Sequence, residues 1–221
     1  MNLGYAPLAL ACGSAALLVA PWLTRLIQRA IAQRSPETRH GQHAQAAVAA
    51  VTALGFAATA LHFGPRAELP VYLFLIAALV VLSFVDLATK TLPRRLVHMA
   101  LAVGIVLLTP IAVFMGEPQR VLWATVGALG AFAVLTVLHV GARGGLGYGD
   151  VRLGAMLGWF VAWEGLRHVP VGLFLAFVSS AVVGLALIAS GRASRRTAIP
   201  FGPFLAIGGV AALLGSSLNA A

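Results

Sequence analysis

The chain has 221 residues, of which 60% are hydrophobic and 10% are charged, and its mean hydropathy is +0.95. A soluble domain carries about 25% charged residues, so this composition excludes a water-facing surface over most of the chain. The net charge of +9 does not indicate nucleic-acid binding, because the basic residues occupy short gaps between apolar runs and form no stripe interleaved with aromatic residues. We therefore predict one domain over residues 1–221, embedded in the lipid bilayer.

Eight apolar runs, most of them about 20 residues long, predict an all-α polytopic integral membrane protein with about eight transmembrane helices. In chain order the runs cover residues 4–23, 44–63, 71–87, 96–115, 121–141, 150–163, 169–190 and 200–213, and the sixth is short. The single cysteine, Cys12, lies in the first run, which excludes an internal disulfide and a multi-cysteine zinc site.

The charge of the gaps between these runs predicts the orientation. If the gap after the first run is cytosolic and the sides alternate, the cytosolic segments contain twelve of the 15 Lys and Arg residues. These are Arg25, Arg29, Arg34, Arg39, Lys90, Arg94, Arg95, Arg143, Arg152, Arg192, Arg195 and Arg196, whereas the outer segments contain Arg66, Arg120 and Arg167. Because cytosolic loops are enriched in Lys and Arg, both termini are expected outside.

The chain has only two aspartates, and this topology places both at the cytosolic face. Asp86 ends the third run and Asp150 begins the sixth, so two complete spans separate them. An ionisable residue within a span is costly and is a functional candidate. Two close carboxyl groups share a proton, which suits peptide hydrolysis: one takes a proton from water and the other polarises the scissile carbonyl.

Each aspartate also has a purely structural interpretation. Asp86 could pair with Lys90 one helical turn later, and Asp150 could be the N-cap of the helix that follows it. The other acidic residues lie in the gaps and are expected to be solvated; they are Glu37, Glu68, Glu117 and Glu164. Two histidines, His98 and His139, lie near cytosolic span ends, where we favour interfacial packing over catalysis.

A glycine-rich segment leads into Asp150. It contains Gly144, Gly145, Gly147 and Gly149. Glycine permits backbone conformations that are closed to other residues, which would let an extended substrate approach closely. A flexible connector is the alternative. A nucleotide-binding loop is excluded, because no strand precedes the segment and no Lys-Ser or Lys-Thr pair follows it.

Three blocks of the sequence resemble those of bacterial prepilin peptidases, also called type IV leader peptidases, which are GxGD membrane aspartyl proteases. The first is Phe-Val-Asp-Leu at 84–87 with Leu-Pro at 92–93, and the second is the Gly-Tyr-Gly-Asp segment at 147–158. The third, at 199–206, contains Gly202 and Pro203. The order and spacing of the blocks resemble the family over roughly residues 70 to 210.

The resemblance implies an aspartic endopeptidase that removes the leader of type IV prepilins or related pseudopilins at the cytosolic face of the bacterial inner membrane. It implies that Asp86 and Asp150 are catalytic and that no cofactor or metal is needed. Gly147, Gly149, Gly202 and Pro203 would bind substrate or shape the loops. The alternative for Gly202 and Pro203 is that they only start the final helix.

The chain departs from the family in two places. Many relatives have an acidic residue after Leu-Pro, where this chain has Arg94. Larger relatives carry a cytosolic insertion with CxxC motifs that is linked to N-methylation, whereas the gap at 24–43 is short and has no cysteine. We therefore expect a peptidase without that region. The alternative functions are a proton-coupled transporter that uses the same two aspartates and an inactive scaffold. The individual substrate and the oligomeric state stay open.

Overall fold

The computed structural model describes residues 3–33, 42–141, 145–194, 197 and 199–215. Over these residues the chain forms eight α-helices, one short 3-10 turn and no strand. The α-helices are α1 Ala6–Ala32, α2 Gln42–Phe63, α3 Leu69–Thr89, α4 Arg94–Phe114, α5 Gln119–Gly141, α6 Tyr148–Trp163, α7 His168–Ala189 and α8 Gly202–Gly215. The predicted all-α polytopic fold is confirmed. Several residues of the charge and motif analysis lie outside the described residues: Arg34, Glu37, Arg39, Arg143, Gly144, Arg195 and Arg196.

Six of the eight helices are long and apolar enough to cross a membrane. The other two are α6, with 16 residues, and α8, with 14 residues. At 1.5 Å per residue they are about 24 Å and about 21 Å long, against a hydrocarbon core of about 30 Å. The sixth run is predicted to be short, and the eighth run, residues 200–213, has the same length of 14 residues. Most residues of α6 are buried, so its short length is accommodated inside the protein rather than in lipid.

Helix α1 is longer than the hydropathy predicts. The first apolar run ends at residue 23, but the helix continues to Ala32 and includes Arg25 and Arg29, which are exposed. The added turns keep an apolar face, because Leu23, Ile27 and Ile31 are buried at four-residue spacing. Arginine, glutamine, leucine and alanine are all good helix formers, so the first charge does not end the helix.

Consecutive helices pack closely as pairs where small residues face each other. In the α5 and α6 pair, a methyl group on Gly158 would lie 2.6 Å from the carbonyl oxygen of Gly127. In the α7 and α8 pair, a methyl group on Gly172 would lie 3.3 Å from the carbonyl oxygen of Gly208. Small residues at such contacts let two backbones approach, which is how helices associate in lipid.

Large apolar side chains cover the outer faces of several helices. Leu18 on α1 is 83% exposed, and Phe114 at the end of α4 is 90% exposed. Exposed apolar side chains of this size also lie along α5 and α7. A surface of this kind is stable against lipid acyl chains and not against water, which agrees with a multi-pass membrane protein.

Helices α3 and α6 run in opposite directions, and each packs against both α4 and α8. The start of α3 meets the end of α6, because Tyr72 contacts Phe160 and Glu164 there. We call this the glutamate end. The opposite end, where α3 finishes at Asp86 and α6 starts with Asp150, is the aspartate end.

Candidate active site

Asp86 lies in the last turn of α3 and is only 4% exposed. Its Oδ2 accepts a hydrogen bond of 3.0 Å from the backbone N–H of Gly202. Lys90 ends the helix in a left-handed conformation, with φ at 51°, and its backbone N–H donates to the Asp86 carbonyl at 2.7 Å. The Lys90 side chain is exposed and makes no ion pair with Asp86, so the first structural alternative is wrong.

Gly202 is the first residue of α8, and it is buried against Asp86. A methyl group at this position would lie 2.7 Å from Asp86 Oδ2 and 3.2 Å from its Cγ. The carboxyl group therefore occupies the space that any side chain would need. Pro203 follows in the first turn of α8 and lines an apolar groove of about 510 Å³ together with Phe84 and Leu87, on either side of Asp86.

Asp150 lies in the first turn of α6 and is 7% exposed. The N-cap of α6 is Gly147, so Asp150 occupies the third helical position and the predicted N-cap role is wrong. Its Oδ2 instead accepts a hydrogen bond of 3.2 Å from the backbone N–H of Gly147. This is the carboxylate half of a capping box, and the positive end of the helix dipole favours a negative charge at that position.

The glycines before Asp150 act through close contact and not through unusual backbone angles. Neither Gly147 nor Gly149 has a positive φ, so the expected conformational role is wrong for these two residues. A methyl group on Gly147 would lie 3.0 Å from Asp150 Oδ2. One on Gly149 would lie 3.0 Å from the Cβ of Leu92, in the connection between α3 and α4. The glycines thus allow this connection and the start of α6 to pack tightly.

The segment that carries Asp150 has a further support from α5. His139 Nδ1 lies 2.5 Å from the carbonyl oxygen of Leu146. The ring of Tyr148 packs against His139, with ring centroids 5.6 Å apart. The guanidinium of Arg152 lies over the Tyr148 ring, 4.5 Å from its centroid. The position of His139 near a span end predicts interfacial packing, and nothing in the spacing of residues 139 and 146 signals a side-chain contact with a carbonyl.

Asp86 and Asp150 lie close enough to interact electrostatically. Among the described residues, neither carboxyl group forms an ion pair with a basic side chain. In the same part of the chain, no three His, Cys, Asp or Glu side chains converge as a metal site would require. In a buried site without a cation, a second negative charge is unfavourable beside a first one, and such a pair of carboxyl groups is able to supply one acid and one base.

The acids at the glutamate end are not solvated, contrary to the prediction for Glu68 and Glu164. Glu68 is 2% exposed and lies 3.5 Å from a guanidinium nitrogen of Arg120, which also pairs with Glu117. The hydroxyl of Tyr72 donates to Glu164 at 3.1 Å. Burial raises the pKa of Glu164, although the Tyr72 hydrogen bond and nearby arginines oppose the shift. Glu37 lies outside the described residues.

Comparison with known proteins identifies the family of this site. Residues 73–188, more than half of the chain, match the model of the type IV leader peptidase family and include both aspartates. The prepilin leader peptidase/N-methyltransferase of Stutzerimonas stutzeri is 35% identical over 156 residues, which cover 70% of this chain and 53% of that protein. The protein of that name from Pseudomonas aeruginosa is 34% identical over 164 residues, or 74% of this chain and 55% of that protein.

A more distant relative with the same name, from Bacillus subtilis, is 27% identical over 166 residues, or 74% of this chain and 63% of that protein. The chain thus spans about half the length of the first two relatives. No solved structure is significantly similar to it. The family match covers both aspartates, all of α6 and α3 from residue 73 onward, and on that basis the chain belongs to the type IV leader peptidase family.

Proposed function

We propose that this protein is an aspartic endopeptidase that removes the leader peptide of type IV prepilins or related pseudopilins. Membership of the leader peptidase family and the names of the relatives support this class of reaction. The observation that carries the proposal is the pair of buried aspartates, Asp86 and Asp150, at one end of the helix bundle. Each is held by a backbone N–H and neither is neutralised by a described cation.

The two oxygen atoms of each carboxyl group can have different roles, because the backbone binds only one of them. The backbone N–H groups of Gly202 and Gly147 donate to the Oδ2 atoms of Asp86 and Asp150, respectively, which orients one oxygen of each group. Within the described residues the Oδ1 atoms have no protein partner, so they are available to water and to the substrate carbonyl. The ionised member takes a proton from the attacking water, and the protonated member donates to the carbonyl oxygen. The proton taken from water then passes to the leaving amine as the C–N bond breaks, and the carbonyl re-forms as the protonated oxygen returns its proton to the other carboxylate.

We place this site at the cytosolic face of the bacterial inner membrane, with both termini outside. The excess of Lys and Arg in the gaps on the aspartate side supports that orientation. We also propose that the chain lacks the region linked to N-methylation, because the segment between α1 and α2 is short and contains no cysteine. A mature pilin made by this protein alone would then carry an unmethylated N-terminus, which mass spectrometry detects.

Co-expression with a prepilin tests the activity, since removal of the leader shifts the substrate on a gel. We expect Asp86→Asn and Asp150→Asn each to lower cleavage by about 10²- to 10⁴-fold, the usual contribution of a positioned acid or base. Equal amounts of folded protein in the membrane must be shown for all variants. Cleavage at the wild-type rate by either variant would refute the proposal.

The transporter alternative predicts a different result. It requires proton-coupled uptake into vesicles that either asparagine variant abolishes, with no processing of prepilin by the wild type. Both aspartates lie at helix ends rather than near the middle of a span, whereas transporters bind their coupling ions near the midplane. No described feature of the molecule favours this alternative.

A further inference from the structure

One peptide group links His139 to Asp150. The carbonyl of Leu146 and the N–H of Gly147 belong to the same planar peptide unit. The carbonyl oxygen lies 2.5 Å from His139 Nδ1, and the N–H donates to Asp150 Oδ2 at 3.2 Å. The peptide is therefore held at both ends by side chains, one from the end of α5 and one from the start of α6.

The direction of this chain of hydrogen bonds is fixed. A carbonyl oxygen can only accept, so Nδ1 of His139 must carry the proton that it donates to Leu146. Donation to the carbonyl polarises the peptide and strengthens its N–H as a donor to Asp150. The contact also opposes a flip of the peptide, which would turn the carbonyl toward the Asp150 carboxyl group and remove that donor.

We propose that His139 is a positioning residue for the aspartate pair: it orients the peptide between Leu146 and Gly147 so that its N–H holds Asp150. The inference deepens the proposed function and rests on it. His139 is half-buried, and Tyr148 packs against its ring, so the imidazole is held in place from a second side. It touches neither Asp86 nor Asp150 in the described contacts and acts only through the peptide.

Three substitutions separate this role from packing. The side-chain N–H of asparagine reaches the place of a histidine Nδ1–H, whereas that of glutamine reaches the place of Nε2. We therefore expect His139→Asn to keep kcat within about twofold. His139→Gln and His139→Leu should lower kcat by about tenfold through misplacement of Asp150, with KM unchanged. All three variants should melt within a few degrees of wild type.

Hydrogen exchange of the full-length protein in micelles gives a readout that needs no activity. Peptides that cover Gly147 should exchange faster in His139→Gln and His139→Leu than in wild type or His139→Asn. Equal protection and equal rates in all four proteins would overturn the inference, as would a loss in His139→Asn as large as in His139→Leu. If the wild type cleaves no prepilin, the proposed function fails, while the exchange comparison still decides whether His139 holds the peptide.

Discussion

The two ends of the α3 and α6 pair carry the same kind of acidic side chain in opposite electrostatic settings. At the glutamate end, Glu68 is buried beside Arg120, and the partly buried Glu164 lies near Arg66 and the Tyr72 hydroxyl. At the aspartate end, Asp86 and Asp150 are both buried, and their described partners are two backbone N–H groups. The comparison teaches that burial alone does not separate the two pairs, whereas the lack of a described compensating cation sets the proposed catalytic pair apart.

The two ends are also linked by geometry. Tyr72 and Asp86 are 14 residues apart on α3, and Asp150 and Glu164 are 14 residues apart on α6. At 1.5 Å per residue, both arms are about 21 Å long. These equal lengths agree with an arrangement in which the Tyr72–Glu164 hydrogen bond lies at one end of the two helices and both aspartates lie at the other. The contacts at the glutamate end thus help to hold the helices that carry the two aspartates.

Exchanging carboxylates for amides at the two ends gives the largest expected contrast. Asp86→Asn or Asp150→Asn should lower cleavage by about 10²- to 10⁴-fold, because each removes an acid–base group. Glu68→Gln and Glu164→Gln keep a polar side chain in place and should leave cleavage per folded molecule within about threefold, as expected for groups outside the chemistry. The measurement is prepilin processing normalised to folded protein. A loss at the glutamate end as large as at the aspartate end would remove the distinction.

Gly202→Ala should give the next largest effect. The methyl group would lie 2.7 Å from Asp86 Oδ2, so the carboxyl group must move, and displacements of about 1 Å can cost about 10²-fold in rate. The backbone of Gly202 is not in the left-handed region, so strain in φ does not contribute. The control is Gly130→Ala on α5, where a methyl group meets open space. Equal cleavage by both variants would contradict the role of the contact.

Hydropathy predicts the helices well because an apolar run must be helical in lipid, whatever packs around it. It fails where the outcome depends on partners far along the chain. Glu68 and Glu164 fall in gaps, yet Arg120 on α5 lies beside Glu68, and Tyr72 on α3 donates a hydrogen bond to Glu164. Likewise, the contact of Asp86 with Gly202 joins residues 116 positions apart. The sequence contains both residues of each pair but no local pattern that joins them.

Arg120→Ala should lower stability rather than activity. Glu68, which is 2% exposed in the wild type, would lose its cation, and a buried polar group left without a partner costs about 1–3 kcal/mol. Arg66→Ala is the matched control, because the Arg66 side chain is 55% exposed and its guanidinium lies 3.9 Å from Glu164, so the change should cost less than about 1 kcal/mol. Thermal unfolding in detergent measures both. Equal losses would show that exposure does not separate the two pairs.

The smallest expected effect is on the pH dependence of stability, and it comes from Glu164 at the glutamate end. Because burial raises the pKa of Glu164, the folded protein keeps this proton to higher pH than the unfolded chain does. This contribution to stability is present below the ordinary pKa of 4.5 and is lost as pH rises above it. Glu164→Gln removes the titration, so its Tm should fall less than that of wild type over the same window. Parallel curves for the two proteins would contradict the assignment.

Cross-linking in native membranes tests most directly whether the two aspartates meet. With Cys12→Ser as a cysteine-free background, the pair Asp86→Cys and Asp150→Cys is treated with a short bifunctional thiol reagent. A protease site inserted at the exposed turn around Gly116 then separates the two halves of the chain. We predict that the halves stay joined for this pair and separate for the control pair Asp86→Cys and Glu164→Cys. Separation of the halves for the aspartate pair, with both thiols shown to be reactive, would contradict the account.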